Sequence, residues 1–260
     1  MRRFTAKDVA SVAVMTALLV AGQVALGAVR GVEIVTVLLL CYSYSFGVGK
    51  GMASATAFSL LRCFLWGFYP AVILLYLVYY NAFACLFGVI GAKHFRKIKN
   101  SGNDEKNESE KRESIREIIV TDLLFVLIIL ICVLMISGVI KISAVLSKGL
   151  KVLSWVIVCF ATAGFSAYNV LFVLSKKYPR LATVRFVIAV TALAAVCTIC
   201  FSLLDDVITP LFFGYTAEAA AAYFYASFTA MIPQTLCTVV TVSTLFCPLT
   251  KIFSMAAKSI

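Results

Sequence analysis

Charge is scarce in this sequence, and histidine is scarcer still. Of 260 residues, 23 Lys and Arg plus 12 Asp and Glu give 35 charged side chains, and 14 of these (8 basic, 6 acidic) crowd into residues 93–117. The remaining 21 are too few to cover the surface of a water-soluble globule. The single histidine, His94, lies in that polar stretch. Its solitude removes most His-based metal sites and nucleophile–base pairs at once, and it reads as a solvated juxtamembrane residue. A nucleotide-binding loop is lacking too. Phe46-Gly47-Val48-Gly49-Lys50-Gly51 has a Gly-Lys step, but Tyr44 stands where the first glycine of a phosphate loop belongs and Gly51 where its Ser or Thr belongs. The chain is therefore not expected to hydrolyse ATP by itself, and the glycines read as a turn. With Arg rather than Gly at residue 2, no lipidation start is expected.

What is present is apolar surface, at 62% of the chain. That excludes a disordered protein and implies an integral membrane one. It is enough for roughly eight helices of ~20 apolar residues each. The apolar stretches place them at about 8–28, 34–49, 51–68, 71–92, 118–140, 152–174, 184–205 and 220–247. The opening MRRFTAKD resembles the start of a signal peptide, yet the apolar run from Val9 to Val29 outlasts a typical h-region of about 7–15 residues, so it reads as a retained first helix. The second and third helices form a tight hairpin about Gly49-Lys50-Gly51. Asp205 to Ala219 reads as an outer loop or a re-entrant segment.

The fold expected is all-α, a polytopic membrane helical bundle. It divides into an N-terminal four-helix block (1–92), a cytoplasmic polar linker (93–117) and a C-terminal block of about four helices (118–260). With cytoplasmic N- and C-termini and alternating spans, 18 of the 23 basic residues fall on the inner side and Arg30, Arg62, Lys141, Lys148 and Lys151 on the outer, as the positive-inside rule favours. The location expected is the cell membrane. The net charge of +11 is thus read as topology, and nucleic acid is not an expected partner. The nine cysteines all fall in apolar runs, where Cys behaves as a small hydrophobe. The Cys197-Thr-Ile-Cys200 spacing is read as packing ahead of redox chemistry, because it lies in mid-membrane rather than at an accessible helix start.

Two features point toward function. Ala13, Ala17, Ala21 and Ala25 recur every four residues on the first helix. They make a smooth stripe of the kind that lets helices approach closely in lipid, whether within this chain or in a partner. Secondly, ionisable groups sit within or beside helices, where charge is costly and usually faces a cavity or a partner. Glu33, Arg62 and the pair Asp205 and Asp206 fall near one outer depth. Trp66, Tyr69, Tyr76, Tyr79, Tyr80 and Asn81 share that level. Apolar walls with a few fixed polar groups suit a small-molecule site; interfacial snorkelling and an aromatic belt produce a similar composition.

Several stretches resemble a family. Ala13-Val-Met-Thr-Ala-Leu-Leu-Val-Ala-Gly-Gln-Val-Ala-Leu, Gly31-Val-Glu-Ile-Val-Thr-Val-Leu and Phe46-Gly47 resemble the start of the substrate-binding S components of energy-coupling factor (ECF) transporters. Asp206-Val-Ile-Thr-Pro-Leu-Phe, Tyr223-Phe-Tyr-Ala-Ser and Leu245-Phe-Cys-Pro-Leu resemble its final helices. The resemblance covers roughly 8–92 and 184–252. It implies a membrane subunit, not an enzyme and without a cofactor, that captures a vitamin or other small micronutrient outside the cell. Delivery inward then uses a transmembrane coupling (T) protein and two ABC ATPases. The family's Ala-x-x-x-Ala motif meets the coupling protein, and Ala13 and Ala17 match it, with Ala21 extending the stripe. The family often has Pro-Asn ahead of the position of Glu33, where this chain has Arg30-Gly31-Val32. Its usual core has six helices, so those at 118–140 and 152–174 look like additions.

The expected substrate site is an outward-facing pocket roofed by Arg30 to Thr36, with Glu33, Arg62, Asn81 and Asp205 as polar contacts and Trp66 and Tyr80 as walls. No metal site is expected. The alternatives are a self-sufficient secondary transporter coupled to protons or sodium through Glu33 or Asp206, and a scaffold subunit without cargo. A lipid-modifying membrane enzyme is disfavoured, since no catalytic cluster lies at either interface.

Overall fold

A computed structural model describes residues 4–29, 32–100, 144–175, 178 and 180–259, together with 118, 119, 121–123, 125, 126, 129, 130, 133, 136 and 137. Most of the polar linker read from the sequence, along with Arg30, Gly31 and Lys141, lies outside the described residues. Among them the regular structure is entirely helical: α1 (Ala6–Leu26), α2 (Val35–Phe46), α3 (Val48–Trp66), α4 (Pro70–Asn100), α5 (Ala144–Ser175), α6 (Arg180–Phe213) and α7 (Ala217–Ser259). The described residues of 118–136 are helical as well. Five stretches, Ala6–Leu26, Pro70–Arg96, Trp155–Ser175, Leu181–Phe213 and Pro233–Ala257, are long and apolar enough to cross a bilayer. The chain is an all-α, multi-pass membrane bundle.

The helices group into two compact units, Met1–Lys99 with Leu193–Ile260, and Asn100–Ala192. The first is organised around α2. At 12 residues this helix is about 18 Å long, too short to cross ~30 Å of hydrocarbon. It is apolar all round, and Val35, Thr36, Val37 and the whole run from Leu39 to Tyr44 are buried, so protein rather than lipid surrounds it. Its main partners are α7 and α3, and α1 lies against α3 and α2. The start of α1 is closed by a capping box, Thr5 with Asp8. Asp8 also pairs with Lys50 at 2.5 Å, which pins the entry of α1 to the first turn of α3.

Several expected boundaries move. The α2–α3 turn is not at Gly49-Lys50-Gly51, which lie in the first turn of α3; it is made by Gly47 alone, at φ 86°, a left-handed conformation in which a Cβ is strained. Helix α4 starts with a proline, favoured at a first helical position, and runs on to Asn100, so the opening of the expected linker is helical. His94 is on this helix rather than solvated in a linker. Its Nδ1 lies 2.5 Å from the Tyr44 hydroxyl. Asp205 to Ala219 is neither loop nor re-entrant hairpin: α6 continues through Asp205, Asp206 and Pro210 to Phe213. The turn to α7 then needs little more than Gly214, at φ 63°. A helix with a proline loses one backbone bond and bends, but continues when its neighbours hold it.

In the second unit, Asn169 on α5 donates to Asp122 at 3.2 Å, and Phe125 packs edge-on against Phe165 at 6.2 Å. The Arg185 guanidinium sits 5.2 Å from the Phe172 ring. Lys148 and Lys151, expected in an outer loop, belong to α5, which starts at Ala144.

Candidate functional site

Helix α4 carries Tyr76, Tyr79, Tyr80, Phe83 and Phe87, a spacing of three and four that lines one helical face. All five are buried. Phe201 of α6 enters this face, 4.7 Å from Tyr79 and 5.5 Å from Tyr76 between ring centroids. Phe58 of α3 closes it, edge-on to Tyr80 at 5.3 Å. These edge-to-face and tilted geometries are the ones ring quadrupoles favour.

Polar groups from four segments lie near this aromatic body. From α3, Arg62 lays its guanidinium over the Tyr76 ring at 3.9 Å, a cation–π contact strengthened where water is excluded. From the α1–α2 connection comes Glu33 and from α6 Asp205, both within electrostatic reach of Tyr76; Glu33 and Arg62 also reach Tyr80. From α1, Gln23 approaches the Tyr76 hydroxyl, and its own carbonyl oxygen is buried with no hydrogen-bond partner among the described residues.

The two carboxylates are held firmly. Glu33 Oε1 accepts from Thr36 at 2.7 Å and from Gln234 of α7 at 3.1 Å. Cys237 Sγ, one turn further along α7, donates to the Glu33 carbonyl at 3.4 Å. The α1–α2 connection is thereby tied to α7. Asp205 accepts from Thr209 at 2.7 Å and from the Tyr223 hydroxyl at 2.9 Å. Burial, with the Asp205 charge beside it, pushes the Tyr223 phenol up to about 12. Thr198 and Thr238, 3.1 Å apart through their hydroxyls, link α6 to α7 below.

Of the residues singled out from the sequence, Arg62 and Tyr80 contact Tyr76, and Glu33 and Asp205 lie within electrostatic reach of it. Asn81 does not join them. It is one residue on from Tyr80, hence rotated about 100° around the helix. Its Oδ1 accepts from Thr56 at 2.9 Å and its Nδ2 donates to the Leu77 carbonyl at 2.8 Å, making a strut between α3 and α4. The side chain of Trp66 and the opening of the expected roof, Arg30 and Gly31, lie outside the described residues. Gln23, Phe201, Gln234 and Tyr223 were not anticipated. Gln234 carried a readable signal, a polar amide following Pro233 in an otherwise apolar run.

Ala13, Ala17, Ala21 and Ala25 are all exposed, while Met15, Thr16 and Leu19 bury the other face of α1. Beside the stripe runs a groove of about 450 Å³ between α1, α2 and α7, with Lys7, Ala10, Tyr42, Phe46 and Phe253 among its lining. The Lys50 amine is engaged by Asp8. The eight described cysteines are free, Cys197 and Cys200 among them. Searches against protein-family models, curated proteins and solved structures return no match for this chain.

Proposed function

We propose that this chain is the substrate-specific membrane subunit of an ECF-type ABC importer, taking up a vitamin or comparable micronutrient and relying on a coupling protein and two ABC ATPases for energy. One observation carries the reading. Arg62 stacks on a buried aromatic body made by Tyr76, Tyr79, Tyr80 and Phe201, Gln23 approaches the Tyr76 hydroxyl, and the charges of Glu33 and Asp205 act on it from two further segments. Flat rings provide walls for a small organic molecule, and a fixed cation with flanking carboxylates gives it orientation. The exposed alanine face of α1 supports the second half of the reading. It is wide enough in sequence, from Ala13 to Ala25, for a partner helix to lie along it.

The chemistry proposed is recognition and carriage, without a catalytic step. Arg62 is positioned by Tyr76 to meet an anionic or strongly accepting group of the ligand. Glu33 acts through the bonds it makes: with those to Gln234 and Cys237 in place, Glu33 is held onto α7 at the start of α2. Ligand entry then requires those bonds to open.

The test is a thermal-shift and direct-binding panel of radiolabelled vitamins on the purified full chain in detergent. At least one is expected to bind, and Arg62→Ala to weaken it by about tenfold or more, which is about 1.4 kcal/mol. If no vitamin binds, or if the bound one is indifferent to both Arg62→Ala and Tyr76→Ala, the substrate-site reading is wrong.

A further inference from the structure

Asp206 is the one charged side chain among the described residues that is more than nine-tenths buried, at 7% exposure. Its two oxygens are treated differently. Oδ2 accepts from Ser227 of α7 at 2.8 Å, whereas Oδ1 is buried with no hydrogen-bond partner among the described residues. The neighbouring Asp205 has a donor for each oxygen, and neither carboxylate is ion-paired with a described Lys or Arg. A buried carboxylate left half-satisfied in this way is costly unless something positive completes it.

A second observation comes from the backbone. Pro210 lies four residues beyond Asp206 inside α6. It has no N–H, so the Asp206 carbonyl loses its helical donor. Helix α7 repeats the arrangement, since Pro233 lies four residues beyond Thr229 and frees that carbonyl two residues past Ser227. Proline-interrupted helices that meet at a buried carboxylate offer carbonyl oxygens without their i+4 donor, ligands of the kind hard cations take. Among the described residues no three of His, Cys, Asp and Glu come together. Both oxygens of the adjacent Asp205 already have donors, so one unpartnered carboxylate oxygen is left, which balances a single positive charge better than a double one.

We propose that the seam between α6 and α7 at Asp206 binds a monovalent alkali cation, Na⁺ or K⁺, with Asp206 Oδ1 and Ser227 Oγ as side-chain ligands and a proline-freed carbonyl among the backbone ones. The cation clamps α6 to α7 next to Asp205, which itself accepts from Tyr223 of α7. Occupancy of the site therefore stabilises α6, the helix that carries Phe201 into the aromatic body, against α7. This does not depend on the identity of the organic ligand or on the import reading.

The experiment uses the purified full chain in detergent at matched ionic strength in sodium, potassium or choline chloride. Sodium or potassium is expected to raise the melting temperature by several degrees over choline, because a ligand bound only by the folded state stabilises it. The cation responsible is the one whose radioactive isotope (sodium, or rubidium for potassium) binds saturably. Asp206→Asn abolishes both effects while melting in choline at or above the wild-type temperature, since the amide removes an uncompensated charge. Pro210→Ala, which returns a donor to the Asp206 carbonyl, weakens the cation effect without unfolding α6, and it decides the matter should Asp206→Asn fail to fold. Equal melting in all three salts overturns the proposal. So does an alkali effect that survives in both variants, or stability in choline that simply rises with acidity, which makes Asp206 a carboxylic acid and not a cation ligand.

Discussion

The Arg62 guanidinium lies face-on to a buried tyrosine at 3.9 Å, and that placement separates binding from folding at the scale of single residues. Lys keeps the charge at this position but loses the planar stacking and the forked donors. Arg62→Lys is therefore expected to bind the ligand several-fold more weakly, with less loss than Arg62→Ala; equilibrium binding on the purified chain measures both. Asn81 is expected to behave oppositely. Removing its amide strands the Thr56 hydroxyl between α3 and α4, at about 1–3 kcal/mol. Asn81→Ala should lower the melting temperature and leave ligand affinity within about threefold. Equal affinity loss in Asn81→Ala and Arg62→Ala would mean that the strut is part of the site. The sequence singled out Glu33, Arg62, Tyr80 and Asp205 because ionisable and hydroxylated groups are expensive in lipid and stand out against an apolar background. It could not distinguish Asn81 from them. Which of two adjacent helical residues turns inward depends on the neighbouring helices, and the same ignorance put His94 in solvent instead of against Tyr44.

At the scale of elements, the close packing of α4 on the α2–α3 hairpin rests on small residues. A Cβ at Gly91 would run into the backbone carbonyl of Tyr44, and one at Gly88 would lie 2.7 Å from the backbone nitrogen of Val48. Backbone atoms cannot step aside as a side chain can, so Gly91→Ala is expected to destabilise the chain by about 1–3 kcal/mol despite the better helix propensity of alanine. A thermal melt checks this, and a variant as stable as wild type would show that α2 and α4 are free to separate. Hydropathy located the helices because apolar runs are unmistakable, but it set their ends poorly. It broke α6 at the two aspartates, where the chain instead keeps its helix by giving Asp205 and Asp206 partners on α6 and α7. It also treated Gly49 and Gly51 as the turn, since composition does not reveal which glycine in a run has the positive φ.

At the scale of the molecule, the sparse charge has a clear distribution within the first unit. Asp8 with Lys50, and His94 with Tyr44, lie toward the start of α3 and the later part of α4. Glu33, Arg62, Asp205 and Asp206 lie toward the α1–α2 connection, the end of α3 and the end of α6. Under the proposed reading the second of these groups holds the small molecule, and the alanine face left open along α1 meets the partner helix. The all-helical membrane class was legible from composition alone. The grouping of 193–260 with the first 99 residues was not, because packing between distant segments leaves no periodic trace in one sequence. The most direct measurement is ligand uptake, with co-isolation in mild detergent from the native membrane, for the wild type and for Ala13→Leu with Ala17→Leu. The account predicts that the wild type brings down a membrane coupling protein and two ATPases, and that uptake is ATP-dependent. It predicts that the double variant loses both while still binding the ligand. Uptake that persists in the double variant, or that runs on an ion gradient without any ATPase, contradicts it.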